Sequence, residues 1–279
     1  MRNDVLLRFV GVTMMAAVGL LGCSEDAGEG TGEGSGNGNG SGSGSGSGTT
    51  NLPSHAPDFP SGQGQPKEGT TAYPQGPYGI NKGSIIADYK FVGFGNYVEL
   101  SKNPSFGTQP IELADFYNPH ADDATYMPAD PSKDDRLFPA GSPYGAGTKK
   151  PTALLIDVAS VWCGPCNYEA KSVLPALYAK YKPLGGEFLL QLADGPTPGE
   201  PATQIHLLSW SKKYQTNYPT TIDPTYKLGA LFDADAFPAN MIVDTRTMKI
   251  AEIIAGAPDP TDPSDTFWPT FEKVMGKSQ

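Results

Sequence analysis

The chain has 279 residues, with 34 glycines, 27 prolines, three cysteines and a formal net charge of −10. No basic patch or Lys/Arg run offsets that acidity, which argues against nucleic acid and against electrostatic binding to anionic lipid. Acidity of this kind reads as solubility and names no substrate.

Residues 1–22 read as a targeting segment. Arg2 and Arg8 form a positive start, and Val10 to Leu21 is an apolar run too short to span a bilayer. The run ends in Leu20-Leu21-Gly22-Cys23. This string resembles the lipobox of bacterial lipoproteins, and the resemblance implies that Cys23 is lipidated, becomes the mature N-terminus and anchors the chain to a membrane. An ordinary secretory signal with a chance cysteine is the alternative. Either way the chain is exported to a compartment that tolerates disulfides. Ser24 follows Cys23, and by analogy with lipoprotein sorting the absence of Asp there favours the outer membrane of a Gram-negative cell.

Residues 23–71 form the lipidated cysteine and its tether. Glycine fills every even position from Gly28 to Gly48 with no apolar residue between, so the stretch buries nothing and behaves as a coil. The folded domain is expected over 72–279. Residues 85–93 read as a strand and Tyr97-Val98-Glu99-Leu100 as a second. Residues 111–117 read as a strand running into a short helix. Residues 118–150, rich in Pro, Asp and Gly without a period, read as a long surface loop, either flanking the active site or decorative.

Ala153 to Ala159 is apolar and branched, as in a strand buried on both faces. Trp162-Cys163-Gly164-Pro165-Cys166 follows, and Ala170, Leu174, Leu177, Tyr178 and Tyr181 then fall on one helical face. The C-x-x-C thus stands at a strand-to-helix junction with Cys163 at the helix start, where unpaired N–H groups favour a thiolate. Pro165 suits the first helical turn. A structural disulfide would constrain little with so short a loop. Half a zinc site would need two further ligands, and His55, His120 and His206 show no ligand spacing. Redox chemistry is the preferred reading.

Downstream, 187–192 reads as a central strand, and Thr203 caps a helix carrying Leu207, Trp210 and Tyr214. His206 reads as a surface histidine of that helix. Ala236-Phe237-Pro238 leads into an apolar strand at 239–243, with 250–254 as its hairpin partner and a final helix carrying Phe267, Phe271, Val274 and Met275.

Trp-Cys-Gly-Pro-Cys is the active-site string of thioredoxins. Over about residues 80–275 the chain resembles the TlpA/ResA-type, redoxin-like thiol-disulfide oxidoreductases. The resemblance implies an α/β thioredoxin-like fold, a central mixed β-sheet flanked by helices with an N-terminal β extension. It implies that Cys163 attacks a disulfide in a partner protein, that Cys166 resolves the mixed disulfide, and that no metal or organic cofactor is needed. Pro238 would be the cis proline beside the C-x-x-C, with the backbone of Phe237 pairing with a bound substrate strand. Phe237 is bulkier than the residue relatives carry there, which bears on substrate range. Asp157, six residues before Cys163, takes the role of a buried carboxylate that accepts a proton from Cys166. The alternative is a strand-end Asp facing solvent, since a period of two cannot fix the face. Trp162 reads as a shield of the site, and Glu169 as either a solvated helix residue or a modulator. Gly164-Pro165 resembles reducing thioredoxins, so a reductase fed by a membrane electron donor is expected. A thiol peroxidase of the redoxin class and a thiol metal-binding module are the competing readings; the Pro-x-x-x-Thr-x-x-Cys pattern of the former is missing around Cys163.

Overall fold

A computed structural model describes residues 71–103, 105–228 and 236–276. Cys23, the leader and all of the tether but Thr71 lie outside the described residues. The apolar run after Pro151 forms the middle of the fold: β3, Ala153–Ser160, is buried at every position. Branched and apolar side chains on both faces leave it no solvent side, so it takes a neighbour on each edge and a layer on each face. β4 (Gly186–Asp194) runs parallel on one edge and β6 (Ala239–Asp244) antiparallel on the other. β5 (Thr220–Ile222) continues the parallel side, and β7 (Lys249–Ala255) closes the hairpin with β6. Among the described residues the sheet order is β2-β1-β5-β4-β3-β6-β7. A mixed sheet with the C-x-x-C at the end of a central strand is the thioredoxin-like architecture expected, with β1 and β2 as its N-terminal extension.

β1 is Lys90–Phe94 and β2 is Gln109–Glu112, antiparallel to each other and with β1 antiparallel to β5. The strand expected over 85–93 is shorter. Residues 84–86 instead run beside the start of β7, where the Ile86 N–H donates to the Met248 carbonyl at 2.9 Å. The β1–β5 approach needs Gly93, since a Cβ there would lie 2.2 Å from the Thr220 carbonyl oxygen. The strand expected at 97–100 is a helix, α1 (Tyr97–Leu100). Asn96 caps it by accepting from the Glu99 N–H at 3.1 Å, a local bond that outweighs the β preference of Tyr and Val. The strand-into-helix reading of 111–117 corresponds to β2 followed by a 3₁₀ turn, Leu113–Phe116.

The two faces of the sheet are covered differently. One carries the helices: α2 (Gly164–Tyr168), a π-helical stretch (Glu169–Val173) and α3 (Leu174–Tyr181) in succession, α4 (Gln204–Tyr214), and α5 (Phe267–Val274). Trp210, Phe267, Trp268 and Phe271 pack there with Leu155, Ala159 and both cysteines. The other face carries irregular chain. Tyr73, Ile86, Leu113, Phe116 and Phe138 pack there against Leu154, Ile156 and Val158. Residues 118–150, read as surface loop, contribute to this layer. Phe138 is buried beside Phe116 and Tyr144. The two ends of this segment meet at the start of β3, where the Asn118 side chain donates to the carbonyls of Lys150 and Pro151. That places them a strand's length from the cysteines, about 23 Å at 3.3 Å per residue.

Candidate active site

β3 ends at Ser160, and the chain turns over Val161 and Trp162 into α2. Cys163 is the N-cap residue, in extended conformation, and Pro165 occupies the first turn. Cys163 and Cys166 are joined by a disulfide, with their Cα atoms 5.3 Å apart. The Cys166 N–H points at Cys163 Sγ, 3.1 Å away. In the reduced protein that donor favours a thiolate on Cys163 over a neutral thiol. The two cysteines are 2% and 1% exposed, so both sulfurs are buried in the oxidised protein. Gly164 and Pro165 are exposed between them, and a Cβ on Gly164 would meet nothing within 4 Å.

Trp162 stands at the rim with its indole N–H donated to Asp194 Oδ2 at 2.9 Å. Phe237 meets the Trp162 ring edge-on at 5.8 Å, and the Phe237–Pro238 peptide is cis. Phe237 is partly buried and packs against the core cluster that contains both cysteines.

Behind the cysteines lies a polar cluster. Along β3, Leu155 and Ala159 face the cysteine layer, and Asp157 alternates with them on that side. Asp157 is therefore not a solvent-facing strand end; it is 3% exposed and paired in register with Asn240 of β6. Burial pushes its carboxyl up to about 7. Glu169, one turn after Cys166, is fully buried, so the solvated-residue reading is corrected. Burial and the nearby Asp157 charge hold its carboxyl well above the usual range, while a contact from the Asn240 side chain at 3.5 Å pulls the other way. The Tyr218 hydroxyl is raised by burial and by both carboxylates. Asp157 Oδ1, Glu169 Oε2 and the Tyr218 hydroxyl have no hydrogen-bond partner among the described residues.

Glu169 had one sequence signal, its spacing of three from Cys166, which puts it on the cysteine side of the helix. Asn240 and Tyr218 had none, because they arrive from distant parts of the chain, Asn240 on β6 and Tyr218 from the bend before β5. Asn167 also escaped sequence reading. Its amide donates to the carbonyls of Val161 and Cys163 at 2.9 and 2.7 Å, and its oxygen accepts from the Tyr214 hydroxyl and from Lys213 of α4. His206 closes the capping box of α4, its Nδ1 3.3 Å from the Thr203 N–H. Among the described residues no group of three or more His, Cys, Asp and Glu is arranged to hold a metal ion.

The arrangement can hold a thiolate at Cys163, exchange it for a disulfide with Cys166, and hold a proton on a buried carboxylate near neutral pH. No family model matches the chain. It is 27% identical over 107 residues to the thiol-disulfide oxidoreductase ResA of Bacillus cereus, a stretch covering 38% of this chain and 57% of that protein. The chain thus spans little more than half the length of this curated relative. Among solved structures, a Chlorobium tepidum protein provisionally named thiol:disulfide interchange protein DsbE aligns over 71% of this chain and all of its own at 16% identity, TM-score 0.46. A thiol:disulfide interchange protein from a Bacteroides species aligns over 71% of this chain and 93% of its own at 13% identity, TM-score 0.40. The architecture described above stands on this chain's own strand order.

Proposed function

We propose that the chain is an exported thiol-disulfide oxidoreductase that reduces disulfides in partner proteins, held to a membrane by a lipid on Cys23. The observation that carries the reading is the dithiol itself: Cys163 caps a helix beneath the Cys166 N–H, with two buried carboxylates behind it. The Cys163 thiolate attacks one sulfur of the partner disulfide. The partner's S–S bond breaks, a mixed disulfide forms, and the released partner thiolate takes a proton from water. Asp157, with Glu169 beside it, accepts the Cys166 proton. Cys166 then attacks Cys163 Sγ, the mixed disulfide breaks, and the second partner thiol leaves. Two electrons pass to the partner, and a membrane dithiol donor returns them.

Trp162, Gly164, Pro165, Phe237 and Pro238 form the surface on which a partner strand would lie. No helix among the described residues is long and apolar enough to cross a membrane. In this reading the lipid on Cys23 and the glycine-rich tether provide the attachment.

The test uses the full chain with Cys23→Ser, so that Cys163 and Cys166 are its only thiols. Equilibration in thiol redox buffers is expected to give a potential near that of thioredoxin, about −270 mV. Cys166→Ser is expected to trap a partner as a mixed disulfide on a non-reducing gel. A potential near about −120 mV would make the protein an oxidant and overturn the direction. A pair that never closes its disulfide would overturn the activity.

A further inference from the structure

Cys163 has to keep one backbone conformation in two redox states. In the oxidised protein the disulfide to Cys166 holds it covalently as the N-cap of α2. Once that ring is open, the Cys166 N–H stays on Cys163 Sγ only if the turn over residues 161–163 keeps its place. Main-chain bonds hold the N–H side of this turn: Val161 donates to the Asp194 carbonyl at 3.1 Å and Cys163 to the Ser160 carbonyl at 3.2 Å. The carbonyl side is held by Asn167. Its side-chain amide donates to the Val161 carbonyl at 2.9 Å and to the Cys163 carbonyl at 2.7 Å, and its main-chain N–H donates to the same Cys163 carbonyl at 3.1 Å.

The other end of that amide faces α4. Asn167 Oδ1 accepts from Lys213 Nζ at 3.0 Å and from the Tyr214 hydroxyl. An asparagine side chain offers two N–H donors and an oxygen with two lone pairs, and all four are in use. The partners fix which way the amide lies, because carbonyls only accept and an ammonium only donates. Tyr214 is anchored in turn, its ring edge-on to Trp210 at 4.7 Å, and Trp210 belongs to the core cluster that contains both cysteines. The chain of bonds from Lys213 through the amide to the Cys163 carbonyl also polarises each member. That carbonyl is the negative end of a dipole on the residue that carries the thiolate, and engaging it favours negative charge on the sulfur.

We infer that Asn167 is a positioning residue for the thiol chemistry. Its saturated amide keeps Cys163 as the cap of α2 while the disulfide is open, and so keeps the thiolate beneath the Cys166 N–H. The inference rests on the oxidoreductase reading. Loss of the amide weighs on the reduced form, since the oxidised form still has the disulfide to hold the turn. The pair then becomes harder to reduce and the thiolate scarcer.

The experiment uses the full chain with Cys23→Ser and compares Asn167→Ala with Asn167→Asp. The aspartate keeps an acceptor for Lys213 and Tyr214 and loses both donors, which separates the donors from attachment to α4. In glutathione buffers both variants are expected to shift the equilibrium about tenfold towards the disulfide, about 30 mV. With Cys166→Ser added, so that one thiol titrates, the ultraviolet thiolate signal of Cys163 is expected to show ionisation about tenfold weaker in both. A shift below about threefold, a shift of opposite sign, or an aspartate variant that behaves as wild type would overturn the inference. In the wild type, ¹⁵N–¹H spectra are expected to show the Asn167 side-chain protons exchanging slowly with solvent in both redox states. Exchange as fast as a free asparagine in the reduced protein would overturn it with no variant needed. A pair that never closes would overturn it together with the oxidoreductase reading, whereas a pair that closes with unshifted variants overturns this inference alone.

Discussion

Asp157 shows how one residue links stability to the chemistry. In the unfolded chain its carboxyl ionises near about 3.9, whereas burial in the folded protein holds it protonated up to about 7. The folded state thus binds this proton more tightly. Stability falls as pH rises from about 4 to about 7, and the loss is complete above that range. Asp157→Asn is expected to stabilise the oxidised protein by about 2–4 kcal/mol at pH 8 and to change little at pH 4. Urea denaturation at the two pH values checks it, and an equal effect at both would refute the burial argument. Glu169 is shifted the same way and leaves part of the slope in the variant. Of this cluster, the cysteines were legible because their signal is a contiguous string. Asp157 was legible only as a candidate, since alternation shows that two faces exist without saying which one is wet. Asn240 and Tyr218 were illegible, because β6 and the bend just before β5 deliver them from far along the chain.

At the scale of elements, the active-site turn is fastened to α4 through Asn167. Its amide joins the carbonyls of Val161 and Cys163, on either side of Trp162, and its oxygen is held from α4 by Tyr214 and Lys213. Asn167→Ala leaves those carbonyls and the Tyr214 hydroxyl without these partners. A loss of about 1–3 kcal/mol is expected in chemical denaturation of the oxidised protein. A change below about 0.5 kcal/mol would mean that the turn holds itself. The helix that follows widens into a π turn at Glu169–Val173 just ahead of Pro175. Proline has no N–H to offer the carbonyl four residues back, and a wider turn relieves that clash. Local rules served the long, strongly patterned elements well: β3, β4, α4 and the β6–β7 hairpin were all expected. They failed where elements are short. At 97–100 a side-chain cap outweighed strand propensity. β5 has three residues, too few to show a period, and it exists because β1 and β4 flank it.

For the molecule as a whole, the irregular segment 118–150 supplies part of the layer that covers one face of the sheet. The helical cover of that face among the described elements is the short 3₁₀ turn Leu113–Phe116, and Phe138 and Tyr144 pack with Phe116 in that layer. Phe138→Ala is expected to cost about 3–5 kcal/mol and to lower one shared transition seen by near- and far-ultraviolet circular dichroism. A loss under about 1 kcal/mol would make the segment the ornament that its composition suggested. Composition misled here because glycine, proline and aspartate mark irregular backbone, and irregular backbone can still bury a ring. β3 is where the two layers meet. Its odd positions, 153 to 159, serve the cysteine side, and its even positions, 154 to 158, serve the aromatic side. The chemistry of the dithiol therefore depends on parity. One residue inserted between Leu155 and Ile156 would turn that isoleucine towards the cysteines and bury the Asp157 carboxylate among rings, with the C-x-x-C string itself unchanged.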